Sequence, residues 1–329
     1  MKAFKIHSKL ISAFQENFST TISLSLLLVS CNVGLAQAQP TQEPTEKNVE
    51  TIYQQAKEEL PEHSYLLYRI VERIARANKI DDHPWRVRSL PDYDINAFAT
   101  DVNLIAVHSG LLDQLAGDTS ALACVVGHEM AHNTKRHIAL SNAQITAMTE
   151  QFEQEAEHEA KEELVKVRGR VRTQSILGAV FGVNTSGFSR RSIEDGQKIV
   201  QDIVNKKKEA LQNSVLEQNR KHELEADEFG YYYATKAGFE AQGCLRVMEV
   251  LARTPNAEFD TTHPSIPTRI KALQELINQH PPETLAVEGK AKISSTKPLT
   301  YSLSEDGESL RVNSQFGSSQ NDFERLFDR

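Results

Sequence analysis

The sequence predicts a mainly α-helical chain with a small β-sheet, an α+β fold. Three observations carry this. Apolar residues recur at helical spacing from Asn48 to about Ile80 and again from Leu245 onward. Three short strand-like runs lie close together between Trp85 and His108. Long polar stretches downstream keep helical character without Gly or Pro breaks of the kind that punctuate β proteins.

Taken in order, Ile52, Tyr53, Leu60, Tyr65, Leu66, Ile70, Val71 and Ile74 mark one face of two helices, divided at Pro61. Trp85–Leu90 alternates as a strand, and Ile95–Ala99 and Asn103–His108 read as two more. Gly110-Leu111-Leu112 opens a short helix. Asp118, Thr119 and Ser120 then offer N-caps for the small, apolar run Ala121–Gly127, which suits a buried helix. Ser141 to Val171 is strongly acidic and reads as a solvated helix, and Ile176 to Phe188 as a flap or a loop-and-helix turn. Ile193–Gln218 and Arg220–Ala237 read as two helices, the second stopped by Gly238. Leu245–Ala252 and Pro267–Asn278 are short amphipathic helices. Leu299 to Val312 reads as a hairpin, followed by a loosely ordered end.

The chain has 329 residues and a net charge of −8, which does not suggest a nucleic-acid partner. Its start is an export signal: Lys2, Lys5 and Lys9 precede a short apolar stretch, Ile22–Val29. Two exits stay open. Ala36-Gln37-Ala38 fits cleavage before Gln39, and Leu28-Val29-Ser30-Cys31 resembles a lipobox that would make a lipidated Cys31 the mature N-terminus. No later apolar stretch is long enough to span a bilayer. The expected layout is a signal over 1–38 (or 1–30 with Cys31 lipidated), a linker over 39–47, a main domain over 48–280 and a hairpin-bearing tail over 281–329. Cys124 and Cys244 both lie in apolar helical contexts; two buried, unpaired thiols is the plainer reading, a disulfide the other.

Chemistry concentrates in His128-Glu129-Met130-Ala131-His132. On a helix, positions i and i+4 share a face, so both imidazoles can reach one metal ion, and Glu129 beside them can act as general base. Zinc, one ion per chain, is the expected metal. A third ligand must come from elsewhere, and Glu223 is the best candidate. Asp227, four residues on, shares its helix face and can accept the free N–H of a ligand histidine. Taken alone, the Glu223/Asp227 pair is an ordinary exposed acidic face; the upstream motif gives it meaning. Glu225 reads as surface, His222 as a surface or capping residue, His137 as facing outward, and His108 as a packed strand histidine.

His128–His132, Glu223–Asp227, Thr262-His263-Pro264 with Arg269-Ile270, and Asn96-Ala97-Phe98-Ala99 with Gly110-Leu111-Leu112 together resemble the metallopeptidase family of HtpX, the CAAX prenyl endopeptidase and BepA, closest in layout to its exported BepA-like and Loip-like members. The resemblance runs from about Asn48 to His280. It implies a zincin-type domain with the active-site helix under an edge strand, with His128, His132 and Glu223 as zinc ligands, Glu129 as general base and Asn96–Ala99 as that strand. His263 then stands open between a gate, a fourth ligand, an oxyanion stabiliser and a helix cap; Arg269 between a substrate contact and a structural ion pair. HtpX and the prenyl endopeptidase carry transmembrane helices that the region after the signal lacks, so prenyl-peptide processing is not expected. BepA has helical repeats where this sequence has a short tail, so a chaperone role dependent on them is not expected.

The resulting expectation is a periplasmic zinc endopeptidase of a Gram-negative-type bacterium. Its partners would be unfolded or misassembled envelope proteins, with no nucleic acid and with outer-membrane association if Cys31 is lipidated. The alternatives are a latent or non-proteolytic holdase on the same fold, and an envelope scaffold independent of metal.

Overall fold

The fold was described from a computed structural model, which describes residues 46–100, 102–168, 190–253, 263–304 and 307–324. The signal and lipobox readings, the 176–188 segment and the last five residues lie outside them. Helix α1 (Glu46–Glu59) and α2 (Glu62–Asn78) are separated at Pro61, as the missing N–H of proline dictates. Strands β1 (Trp85–Leu90), β2 (Ala97–Ala99) and β3 (Leu104–His108) follow, then the short α3 (Ser109–Gln114). The motif helix is α4 (Thr119–Thr134), α5 spans His137–Arg168 and α6 spans Arg190–Lys236. After them come α7 (Gln242–Leu251), α8 (Ile266–Gln279), α9 (Pro282–Ser294), β4 (Tyr301–Leu303), β5 (Leu310–Val312) and α10 (Ser319–Glu324).

The sheet has five strands in the order β2-β3-β1-β5-β4. β1 runs parallel to β3, and every other pairing is antiparallel. β2 is therefore an edge. One core lies between the sheet and the helices. Helix α2 fills its centre with the fully buried Tyr68, Ile70, Val71 and Ile74, against Ile105 and Val107 from β3 and Val126 and Met130 from α4. Helices α5 and α6 pack against each other along their length through a separate small apolar cluster of Ala160, Val200 and Ile203. Among the described residues no helix is long and apolar enough to cross a membrane.

Three expectations need correction. The helices read at Ile193–Gln218 and Arg220–Ala237 are one continuous helix, α6. Nothing at Gln218-Asn219 breaks a helix, and i,i+4 pairs bridge the junction, with Lys221 Nζ 2.8 Å from Glu217 Oε1 and Gln218 2.8 Å from His222. Beyond Pro281 the chain is not simply a hairpin-bearing tail, since it first forms α9, packed against α2 and α6, and then inserts β5 beside β1. Arg76, buried beside Glu72, pins this segment by donating to the carbonyls of Ile293 and Thr296, each at 2.6 Å. Asn313 and Ser314 are buried, so the region after the hairpin is more ordered than its composition suggests.

The third correction concerns Cys124 and Cys244. They form a disulfide that ties α4 to α7 across 120 residues of sequence. Burial, the basis for reading two free thiols, is real, but the helices bring the two Cα atoms to 5.2 Å, within bonding range. In the same contact Asp118 caps α4, accepting from the Ala121 amide at 3.0 Å, and takes a 2.8 Å hydrogen bond from Arg246 of α7. Replacing both cysteines with alanine should lower the unfolding free energy by about 2–5 kcal/mol. Denaturant titration of oxidised, reduced and double-alanine protein checks this; identical midpoints for all three would show that the crosslink does not form.

Candidate metal centre

The site is built where α4 crosses α6. Gly127 and Gly230 meet at the crossing: a Cβ on Gly127 would lie 2.9 Å from the Gly230 carbonyl oxygen, and one on Gly230 would lie 2.9 Å from the His128 amide nitrogen. Only hydrogens fit there. The two backbones therefore approach closely enough for short acidic side chains on α6 to reach imidazoles on α4.

His128 Nε2 lies 3.1 Å from His132 Nε2 and 3.4 Å from Glu223 Oε2, while His132 Nε2 lies 3.5 Å from Glu223 Oε1. Among the described residues these three form the one cluster able to hold a metal ion. Donors bound at about 2.0–2.1 Å around a tetrahedral ion stand about 3.3 Å apart, and the closest approaches here are near that, with Glu223 meeting His128 through Oε2 and His132 through Oε1. The donor set, two imidazoles and one carboxylate, would leave a tetrahedral ion one further position for water or substrate.

Asp227 stands behind His128, its Oδ1 3.0 Å from His128 Nδ1. Arg269 grips the same carboxylate with two bonds, Nε to Oδ2 at 2.7 Å and a terminal nitrogen to Oδ1 at 2.6 Å. All of this is buried, so Arg269 is a structural ion pair that holds Asp227 ionised and aimed. Of the two readings open for Arg269, the ion pair is the contact observed.

Charge in the cluster follows from these partners. Burial works against a charged His128, but hydrogen bonds to Asp227 and Glu223 outweigh it and bring its pKa up to about 10. Burial and the neighbouring His128 charge push His132 down to about 3. Burial alone would raise Glu223, yet the hydrogen bond and charge of His128 hold it well below the carboxylate range. Glu129 is 7% exposed, and burial lifts its carboxyl to about 7 against the opposing pull of His128. The Ala99 backbone amide faces that carboxyl, which places β2 directly over the motif.

Residues 62–277 match the family model for peptidase family M48. The chain belongs to peptidase family M48. This M48 chain is similar to the putative beta-barrel assembly-enhancing protease of Vibrio cholerae serotype O1, at 28% identity over 218 residues, 65% of this chain and 38% of that protein. It is also similar to metalloprotease YcaL of Escherichia coli strain K12, at 26% identity over 214 residues, 64% of each chain. The chain thus covers less than two thirds of either relative. No solved structure matches it.

Within this M48 domain the structure brings His128, His132, Glu223, Asp227 and Arg269 into one group, with Glu129 alongside. His263 Nε2 lies 3.6 Å from Glu223 Oε2 and its side chain is 44% exposed, at the open side of the cluster. Asn96–Ala99 lies at the sheet edge, with β2 itself spanning Ala97–Ala99. Two histidines were misread. His137 does not face outward, and His222 is no surface residue: both are buried, and their rings stack 4.4 Å apart. A left-handed residue, Arg136 at φ 59°, turns the chain between α4 and α5 and folds His137 back onto His132. Nothing in an arginine announces such a turn. His108 is a buried strand-end histidine, as read.

The Gly127–Gly230 contact gives a direct test. Gly230→Ala should force the helices apart and weaken metal binding at least about tenfold, while costing about 1–3 kcal/mol of stability. Competition against a chromophoric chelator, with thermal unfolding alongside, reads both. Undiminished affinity would mean that the crossing does not set the ligand spacing.

Proposed function

We propose that this chain is an exported zinc endopeptidase that hydrolyses unfolded or misassembled cell-envelope proteins. The observation that carries the reading is the close cluster of His128, His132 and Glu223, with a buried carboxyl, Glu129, next to them and a strand edge above. Export is supported by the basic and apolar start of the sequence and by a disulfide, a bond typical of oxidising compartments. The envelope as the place of action is supported by the name of the Vibrio relative, a putative beta-barrel assembly-enhancing protease.

His128, His132 and Glu223 would hold the ion. Zinc, when bound, acidifies water and polarises the scissile carbonyl. Glu129, with a carboxyl near 7, can take a proton and release it to the leaving amine close to neutral pH. Asp227 and Arg269 keep the His128 ring oriented.

The register of β2 supports a way in which a substrate would be held. Thr100 N–H donates to the Leu104 carbonyl and His108 N–H to that of Asn96, so Asn96, Phe98 and Thr100 turn their backbone groups toward β3. Ala97 and Ala99 turn theirs to the open edge. The Ala97 N–H and C=O are thus available to an extended peptide, which would add as a further strand. Backbone pairing is blind to sequence. The exposed apolar side chains near this edge, Tyr93 at 81%, Phe98 at 40% and Val102 at 62%, favour chains that display apolar residues, a property of unfolded protein. His263 at the mouth favours a second reading, a latent enzyme or holdase in which this imidazole guards the ligand cluster.

Two outcomes test the proposal. Glu129→Gln should abolish casein degradation while zinc still binds at full stoichiometry; a variant that cleaves at the wild-type rate sinks the base assignment. Zinc should also compete with the proton on His128. An imidazole binds metal only when deprotonated, and His128 holds its proton up to about pH 10. Lower pH therefore favours the proton, and affinity should fall about tenfold per pH unit between about pH 8 and 6. A flat affinity over that range would contradict the arrangement.

A further inference from the structure

His132 has no carboxylate behind it comparable to Asp227. Its Nδ1 instead faces Nδ1 of His137 at 3.1 Å, and His137 Nε2 faces Glu225 Oε2 at 3.1 Å. Only one set of protons satisfies every contact when Nε2 of His132 gives its lone pair to a metal. The His132 proton must then sit on Nδ1 and be donated to His137 Nδ1. His137 must carry its own proton on Nε2, and the atom waiting there is a carboxylate oxygen that can accept it. Lys135 Nζ, 3.1 Å from Glu225 Oε1, helps hold that carboxylate ionised.

The remaining contacts fix the ring. His137 is buried and lies flat against His222, with an interplanar angle of 3°. His222 is itself anchored by Ser141 Oγ at 3.1 Å. A rigid, buried ring with one nitrogen on a ligand histidine and the other on an acid is built to set an orientation, not to fill space.

We propose that His137, backed by Glu225, is the positioning residue for His132, selecting the tautomer and ring angle with which that histidine binds metal. The two ligand histidines would then be oriented by different devices: an acid and an arginine behind His128, an imidazole and an acid behind His132. The proposal rests on His128, His132 and Glu223 being the metal ligands.

The test uses the full chain, with Zn2+ affinity measured by chelator competition and the ligand field read from the visible absorption of the Co2+-loaded protein. His137→Phe keeps the stack on His222 and removes both nitrogens. His137→Asn keeps an acceptor where Nδ1 stood. The phenylalanine variant should bind Zn2+ about 10–100-fold more weakly and shift the Co2+ bands, and the asparagine variant should restore most of the affinity. Glu225→Ala, at a half-exposed position that folding tolerates, should weaken binding several-fold. Wild-type affinity and spectrum in His137→Phe, or equal loss in the phenylalanine and asparagine variants, would overturn the positioning role while leaving the ligand assignment intact. A wild-type chain that binds neither ion would overturn the ligand assignment, and the positioning role with it.

Discussion

Everything at the metal centre depends on how near two helix backbones can come. Gly127 and Gly230 set that distance by having no side chain to keep the helices apart. His128 follows Gly127 directly, while Glu223 and Asp227 lie about two turns and one turn, respectively, before Gly230 on the facing helix. A wider crossing would leave a carboxylate too short to close the triangle of donors. The disulfide and the Asp118–Arg246 contact act near the other end of α4, so that helix is held at both its start and its crossing.

The second constraint is electrostatic. The centre gathers buried imidazoles, carboxylates and a guanidinium within a few ångströms, and such groups are costly to bury unless each meets an opposite charge or a hydrogen bond. Asp227 meets this condition by serving both Arg269 and His128. On the other side the charge is carried outward through His137 to Glu225, which remains partly in water. Glu129, beside the three, has its carboxyl lifted by burial to about 7 against the opposing pull of His128.

Much of this was legible in the sequence. The i,i+4 spacing of His128 and His132, and of Glu223 and Asp227, follows from helix geometry alone, and Asp118 caps its helix as its residue type predicts. The strand-like runs between Trp85 and His108 announced a small sheet, and the family resemblance implied that Asn96–Ala99 is its edge. What was not legible depends on tertiary geometry. The turn at Arg136 uses a left-handed conformation that no residue type there requires, so His137 was placed on the wrong side. The unbroken run of α6 hides the absence of a breaker behind a change of composition near Arg220. The Cys124–Cys244 bond depends on a helix contact between residues far apart in sequence.

The strand pairing of β5 with β1 bears on when the molecule can exist at all. Trp85 pairs with Val312, and the Tyr68 hydroxyl donates to the carbonyl of Leu299, so the central helix and strand of the core find their last partners more than two hundred residues downstream. Contacts so distant in sequence form slowly, because a long loop must close before they stabilise anything. During synthesis, β1 has an open side until residues 310–312 arrive, and the sheet that carries the β2 edge stays incomplete. Completion of the sheet therefore waits for residues 310–312, so the strand order that carries the β2 edge is finished only when nearly all of the described chain has been made.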